Sequence, residues 1–188
     1  MEKIVKNHNF IIALNILGLA GIVFGLALPF YYQIVHSELP CPLCLLQRIG
    51  LVFAGLGFLF NLYRGLYFSH YALIIIGSIV TATISVRQIF LHILPECVGY
   101  GSTFLGLHFY TLVFLVSVLL IFFVLGIIIL SELVDKISKL NSFPEYPKLK
   151  KIVAFLFILL IFANIVSSFL ECGFYLCPED PMEYIMLS

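Results

Sequence analysis

Cys41-Pro42-Leu43-Cys44, with Arg48 four residues further on, is the part of this sequence best suited to chemistry. Two cysteines separated by two residues can close one disulfide, and they can share a face at the start of a helix. A thiol at a helix N-terminus meets the positive end of the helix dipole, which favours the nucleophilic thiolate. Arg48 falls one turn deeper on the face of Cys44. An arginine in an apolar segment is costly to bury and marks a functional position. Metal binding is the competing chemistry for such a pair. Structural zinc, however, takes four ligands, commonly from two C-x-x-C pairs. The remaining cysteines, Cys97, Cys172 and Cys177, are irregularly spaced, and the histidines near them are His36, His92 and His108. A purely structural Cys41–Cys44 bridge would close too short a loop to stabilise much. Redox chemistry is the expectation, with no metal. The sequence shows no glycine-rich nucleotide loop, paired catalytic carboxylates or serine triad, so the electron acceptor is expected to be lipid-soluble or another protein.

The elements that must position these residues belong to a membrane. Of 188 residues, 62% are hydrophobic and only 11% charged, with a mean hydropathy of +1.14. A soluble domain is closer to half apolar and a quarter charged. Ten basic and ten acidic residues cancel, which leaves no basic footprint for nucleic acid. Five apolar runs are long enough to cross about 30 Å of hydrocarbon: Phe10–Tyr32, Leu45–Tyr63, Tyr71–Leu94, Phe104–Leu130 and Ile152–Leu170. Their lengths predict helices and exclude the short alternating strands of a membrane barrel. The first run follows Lys3 and Lys6 but is too long for a signal peptide and lacks a clear cleavage site, so a retained helix is expected. The division expected is a four-helix membrane unit over 1–131, a basic cytoplasmic loop over 132–151, and a fifth helix with a cysteine-bearing tail over 152–188. Leu133, Val134, Ile137 and Leu140 at helical spacing predict an interfacial helix at the start of that loop.

Orientation follows from the basic residues. Lys3, Lys6, Arg64, Lys136, Lys139, Lys148, Lys150 and Lys151 occupy the terminus and connections of one side. The opposite connections carry Glu38, Glu96, Glu171, Glu179, Asp180 and Glu183 and no lysine or arginine. An inside N-terminus and an outside C-terminus are expected, which puts all five cysteines outside, where disulfides are permitted. Five is odd, so one thiol is free or pairs with another protein.

Cys41-Pro42-Leu43-Cys44-Leu45-Leu46-Gln47-Arg48, opening a second membrane helix, resembles the bacterial DsbB family of membrane disulfide-forming proteins. The resemblance covers residues 10 to 130, and two further stretches carry it: Arg87-Gln88-Ile89-Phe90-Leu91 before Pro95, and Phe104-Leu105-Gly106-Leu107 after Cys97. It implies an all-α membrane fold, a four-helix redox bundle here extended by a fifth helix. It implies a quinone-dependent oxidoreductase that reoxidises a periplasmic DsbA-like thioredoxin-fold oxidase by thiol–disulfide exchange. Electrons would pass through a loop disulfide to Cys41 and Cys44, then to ubiquinone or menaquinone in the inner membrane. Cys41 would exchange with the loop and Cys44 would face the quinone. Arg48 would stabilise the Cys44 thiolate and a quinone oxygen, and Gln88 stands where the family carries a quinone-contacting polar side chain. The partners implied are that oxidase, membrane lipid and quinone, with the chain acting as a monomer.

Two departures from the family matter. Its loop between helices 3 and 4 carries two cysteines, whereas this chain has only Cys97, and its core has four helices. One expectation is that Cys97 pairs with Cys172 or Cys177. The other is a Cys172–Cys177 shuttle with Cys97 spare. Two rival readings are a vitamin K epoxide reductase-like enzyme, whose active pair usually sits late in the bundle, and a scaffold or metal-handling protein with structural outer cysteines. Arg87 is expected to snorkel to the interface or to touch quinone or a headgroup. His92 and His108 are interfacial hydrogen-bonding groups with a proton relay as the alternative. Asn15 and Asn164 are expected to bond to neighbouring helices, and Gly50, Gly55 and Gly57 to permit close packing.

Overall fold

The computed structural model describes residues 2–93, 99–104, 106–135, 147–174, 177 and 184–186. It contains five helices, α1 (Glu2–Val35), α2 (Pro42–Arg64), α3 (Phe68–Leu91), α4 (Phe109–Asp135) and α5 (Pro147–Cys172), and a hairpin of β1 (Thr103–Phe104) and β2 (Leu107–His108). Each helix holds a segment long and apolar enough to cross a membrane, Asn9–Val35 in α1 and Phe109–Ser131 in α4. The protein is an all-α membrane protein. Helix α1 packs on α2 and α4, and α3 on α2 and α4, which closes a four-helix ring. Helix α5 lies outside it, against α1 and α2.

Three element boundaries differ from the sequence expectation for local physical reasons. Helix α2 begins at Pro42, because proline suits the first helical position and Cys41 caps the turn in extended geometry. Helix α4 begins at Phe109 and not at Phe104: Gly106, with φ +79°, turns the preceding residues into the β1–β2 hairpin. Helix α5 begins at Pro147, so Lys148, Lys150 and Lys151 lie in its first turns and not in a loop. Lys150 Nζ sits 4.2 Å from the Tyr63 ring centre, so the start of α5 meets the end of α2. Of the expected interfacial helix, residues 133–135 continue α4, and 136–140 lie outside the described residues.

The ring closes tightly on its α2–α3 side because both helices carry glycine at the crossing. A Cβ on Gly77 would lie 2.7 Å from the Gly50 carbonyl oxygen and from the Ala54 nitrogen. One on Gly57 would lie 2.6 Å from the His70 carbonyl oxygen. Small residues at such crossings let backbones approach where hydrocarbon offers no hydrophobic drive. Gly55 instead faces the Phe157 ring of α5. Polar pins cross the other end of the ring. Asn61 Nδ2 donates to Asn15 Oδ1 at 2.9 Å, and Asn15 Nδ2 donates to the Tyr71 hydroxyl at 3.2 Å.

The buried face of α5 runs through Val153, Ala154 and Phe157 and then turns polar at Asn164, Ser167 and Glu171. These positions recur at three- and four-residue spacing and form one stripe. The stripe faces α1 and α2, while Phe155, Ile158, Phe162 and Ile165 on the other faces are exposed, as lipid-facing side chains would be.

Candidate active site

Cys41 and Cys44 form a disulfide at the N-terminus of α2, with their Cα atoms 5.0 Å apart. The Cys44 backbone N–H donates to Cys41 Sγ at 3.2 Å, so a sulfur occupies the place of the oxygen that usually caps a helix. One turn of α2 then points Gln47 and Arg48 into the protein while Leu46 and Ile49 are exposed. Gln88, 1% exposed on α3, reaches the pair from the opposite side. Its Nε2 donates to Cys41 Sγ at 3.2 Å and lies 3.6 Å from Cys44 Sγ. Gln47 Nε2 donates to Gln88 Oε1 at 2.8 Å, which fixes which end of the Gln88 amide meets the sulfurs. The structure thus places Gln88 against the disulfide and not in the wall of the cleft described next.

That cleft lies between α1, α2 and α4. Cys44, Gln47 and Arg48 form a polar end, and Pro29, Tyr32, Leu51, Phe109, Tyr110 and Val113 supply apolar and aromatic surface. Apolar walls with a few convergent polar groups are the usual form of a small-molecule site. Gly25 and Pro29 thin the α1 wall: proline has no N–H to offer the carbonyl four residues earlier, and Gly25 has no side chain. Tyr110 stacks on both His108 (ring centres 5.2 Å apart) and His92 (5.5 Å). His92 Nδ1 is 2.9 Å from the Gln88 carbonyl oxygen. The loop after α3 is tied over the cleft mouth. Tyr100 donates its hydroxyl to the Leu39 carbonyl at 2.7 Å, and Ser102 donates its N–H and its hydroxyl to the Glu38 carboxylate.

Arg48 is 7% exposed and held on three sides. One terminal nitrogen donates to Gln33 Oε1 at 3.3 Å and Asn164 Oδ1 at 3.4 Å, and the guanidinium lies 5.0 Å from the Phe30 ring centre. Its Nε has no hydrogen-bond partner among the described residues. Gln33 in turn donates to the Ser167 hydroxyl at 2.7 Å and the Tyr184 hydroxyl at 2.9 Å. Sequence reasoning singled out Arg48 and Asn164 but missed Gln33, Ser167, Glu171 and Tyr184 as their companions. Asn164, Ser167 and Glu171 do carry a readable signal, a polar stripe at helical spacing on an otherwise apolar helix.

Cys172 and Cys177 form the second disulfide, with their Cα atoms 4.5 Å apart. This corrects the expectation that Cys97 pairs with one of them. Gly173, at φ +58°, reverses the chain after α5, and Met186 N–H donates to the Leu170 carbonyl at 3.1 Å, so the tail folds back to close the second disulfide locally. Cys97 itself lies outside the described residues. The two disulfides share one end of the bundle, since α2 starts and α5 finishes there. Arg87 is exposed on α3. Among the described residues no three His, Cys, Asp or Glu side chains gather as a metal site.

Comparison with known proteins adds one finding. Residues 11–99, spanning α1 to α3 with Cys41, Cys44, Arg48 and Gln88, match the family model of the disulfide bond formation protein DsbB. No curated protein and no solved structure gives a match. The match points to membrane disulfide bond formation by an oxidoreductase, and the two cysteine pairs agree with it. A cysteine pair at the start of a membrane helix, the arginine one turn below it and the matched stretch, just under half of the chain, together support assignment to the DsbB family.

Proposed function

We propose that this protein is a membrane thiol oxidase that renews the disulfide of an extracytoplasmic thioredoxin-fold partner and passes the electrons to a membrane quinone. The observation that carries the reading is a disulfide at a helix N-terminus with one sulfur, Cys44, on the wall of a cleft whose polar end is Arg48. The cleft suits a quinone. Its aromatic and apolar walls match a planar ring with a lipid tail, and the Arg48 guanidinium at its polar end would stabilise a ring oxygen. Tyr32, Phe109 and Tyr110 would flank the ring. A bound quinone supplies a two-electron, two-proton acceptor within reach of the bilayer.

The protein's own residues do the rest. Cys41, with its sulfur capping the helix and receiving the Gln88 amide, is the sulfur attacked by an incoming thiolate. Cys44 is then released as a thiolate beside the guanidinium one turn away. The Gln88 amide and the N-terminus of α2 stabilise charge on both sulfurs. Cys172–Cys177 serves as the outer disulfide that first exchanges with the partner, in place of the two-cysteine loop of the family. Tying of residues 99–104 to Glu38 and Leu39 holds a cover over the cleft mouth. The cysteine-bearing end faces the periplasm and the lysine-rich end the cytoplasm of an inner membrane.

Quinone reduction by purified protein, driven by a reduced thioredoxin-fold oxidase, tests this. Activity is expected in wild type and abolished in Cys44→Ser. Arg48→Gln is expected to lose about 10²–10³-fold, the scale of removing one preorganised donor. Activity that survives Cys97→Ser but not Cys172→Ser supports the tail disulfide as shuttle. The reverse pattern moves that role to Cys97, and no activity with any quinone overturns the reading.

A further inference from the structure

Glu171 is fully buried, and neither carboxylate oxygen has a hydrogen-bond partner among the described residues. It lies at the last turn of α5, directly before Cys172, on the stripe that also presents Asn164 to Arg48 and Ser167 to Gln33. Its charge and that of Arg48 act on each other. Arg48 of α2 is the charge that acts on Glu171, and around Arg48 itself α1 brings the neutral Gln33 while the segment after α5 brings the Tyr184 hydroxyl. A bare buried carboxylate is expensive unless it answers a buried cation or is protonated, and here one cation serves two prospective anions. In the disulfide state Glu171 is, among the described residues, the carboxylate that acts on Arg48. Once Cys44 becomes a thiolate on the next turn of α2, a second negative charge faces the same guanidinium.

We propose that Glu171 is the proton store of the redox centre, taking up one proton when the Cys41–Cys44 disulfide is reduced and giving it back when the disulfide re-forms. The step balances with a dithiol as reductant. Two S–H bonds of the dithiol and the Cys41–Cys44 bond are consumed, and a disulfide of the reductant forms. Cys41 becomes a thiol, Cys44 becomes a thiolate, and the remaining proton moves to the Glu171 carboxylate. Arg48 then faces one anion in each state, so the buried site keeps the same net charge through the cycle. The Gln33, Ser167 and Tyr184 hydrogen bonds line the region between α1, α2 and the tail through which that proton is exchanged. The inference rests on the reading of Arg48 as the partner of the Cys44 thiolate, and its test does not depend on quinone.

Wild-type and Glu171→Gln proteins, in full-length form in detergent, are equilibrated with dithiol redox buffers over a range of pH around neutrality. The reduced fraction of the Cys41–Cys44 peptide is read by alkylation and mass. The pH dependence of the equilibrium gives protons taken up per pair reduced. That number is expected to fall from about two in wild type to about one in Glu171→Gln. A count of about two in both, or of about one in wild type, overturns the proposal. A reduced-minus-oxidised infrared difference spectrum of wild type needs no variant to fold: a protonated-carboxyl stretch appearing on reduction supports the proposal, and its absence overturns it. Loss of quinone reduction with this proton count intact would refute the oxidase reading and leave the inference standing.

Discussion

Gln88→Leu isolates the contact between α3 and the redox pair. The Gln88 amide lies 3.2 Å from Cys41 Sγ and 3.6 Å from Cys44 Sγ. A disulfide sulfur is a weak acceptor and a thiolate a strong one, so this donor stabilises the reduced state more than the oxidised. A hydrogen bond to a charged group is worth about 1.5–3 kcal/mol. Leucine fills nearly the same space but donates nothing, so reduction should become harder by that amount. At 1.4 kcal/mol per about 30 mV for a two-electron couple, the potential of the pair should fall by roughly 30–65 mV. The substitution also strands Gln47 Nε2, which now donates to Gln88 Oε1. That loss affects both redox states and should appear as about 1–3 kcal/mol of lower stability, separate from the potential. Equilibration with a dithiol couple, followed by trapping of the Cys41–Cys44 peptide, measures the first effect, and thermal unfolding in detergent the second. An unchanged or higher potential in a protein that has lost stability would refute the argument, because Gln88 would then hold the helices together without touching the redox equilibrium.

Four further substitutions test the packing that delivers the site. Gly77→Val should destabilise by about 1–3 kcal/mol or more, because its Cβ meets backbone atoms of Gly50 and Ala54, whereas Gly126→Ala, with open space around it, should be neutral or slightly stabilising. Thermal unfolding in detergent compares the two. Asn61→Leu should cost roughly 1 kcal/mol, within the range for interhelical hydrogen bonds in membranes, since Asn15 Oδ1 loses its donor. Phe157→Ala, at the α5 contact with Gly55, should cost about 3–5 kcal/mol and should also slow turnover by loosening the seat of Asn164 and Glu171; full turnover in the variant would show that α5 need not be held tightly.

The five crossings and the Cys41–Cys44–Arg48 constellation were visible in the sequence because both are local. A membrane helix announces itself by the length of its apolar run, and Cys44 and Arg48 share a helix face whatever surrounds them. The starts of α4 and α5 were less visible, since hydropathy does not register the turn at Gly106 or the N-terminal role of Pro147. What lay beyond reach was the partner of each buried polar group. Gln33 and Arg48 are fifteen residues apart, and Arg48 and Asn164 are separated by 116. Their meeting depends on α5 crossing the α1–α2 seam, which no spacing within one helix encodes. The same holds for the Cys172–Cys177 bridge, which was one of two open pairings until the reversal at Gly173 and the return of the tail closed it.

The fifth helix solves a problem that a four-helix ring with these residues would face. Gln33 and Arg48 lie on the α1–α2 seam and make hydrogen bonds to Asn164, Ser167 and Tyr184. Without α5 and the tail, those groups would front hydrocarbon, where each unsatisfied polar group costs several kcal/mol. The seam could then be kept only by giving up Gln33 or by turning Arg48 wholly toward the cleft. With α5 in place, Arg48 is reached from two sides, by the cleft that holds Cys44 and by the buried stripe that ends in Glu171 and Cys172. Arg48 thus stands between the cleft and the α5 stripe, and any change that moves α5 should be felt at the polar end of the cleft. Asn164→Leu is the sparing way to make that change. It removes one of the two acceptors on the Arg48 terminal nitrogen, keeps the helix apolar, and leaves both disulfides and the cleft residues as they are. A shift in the potential of Cys41–Cys44 by roughly 30 mV, the equivalent of about 1.4 kcal/mol, is the expected result. An unshifted potential, with stability lowered all the same, would mean that α5 supports the seam mechanically and has no electrostatic hold on the redox pair.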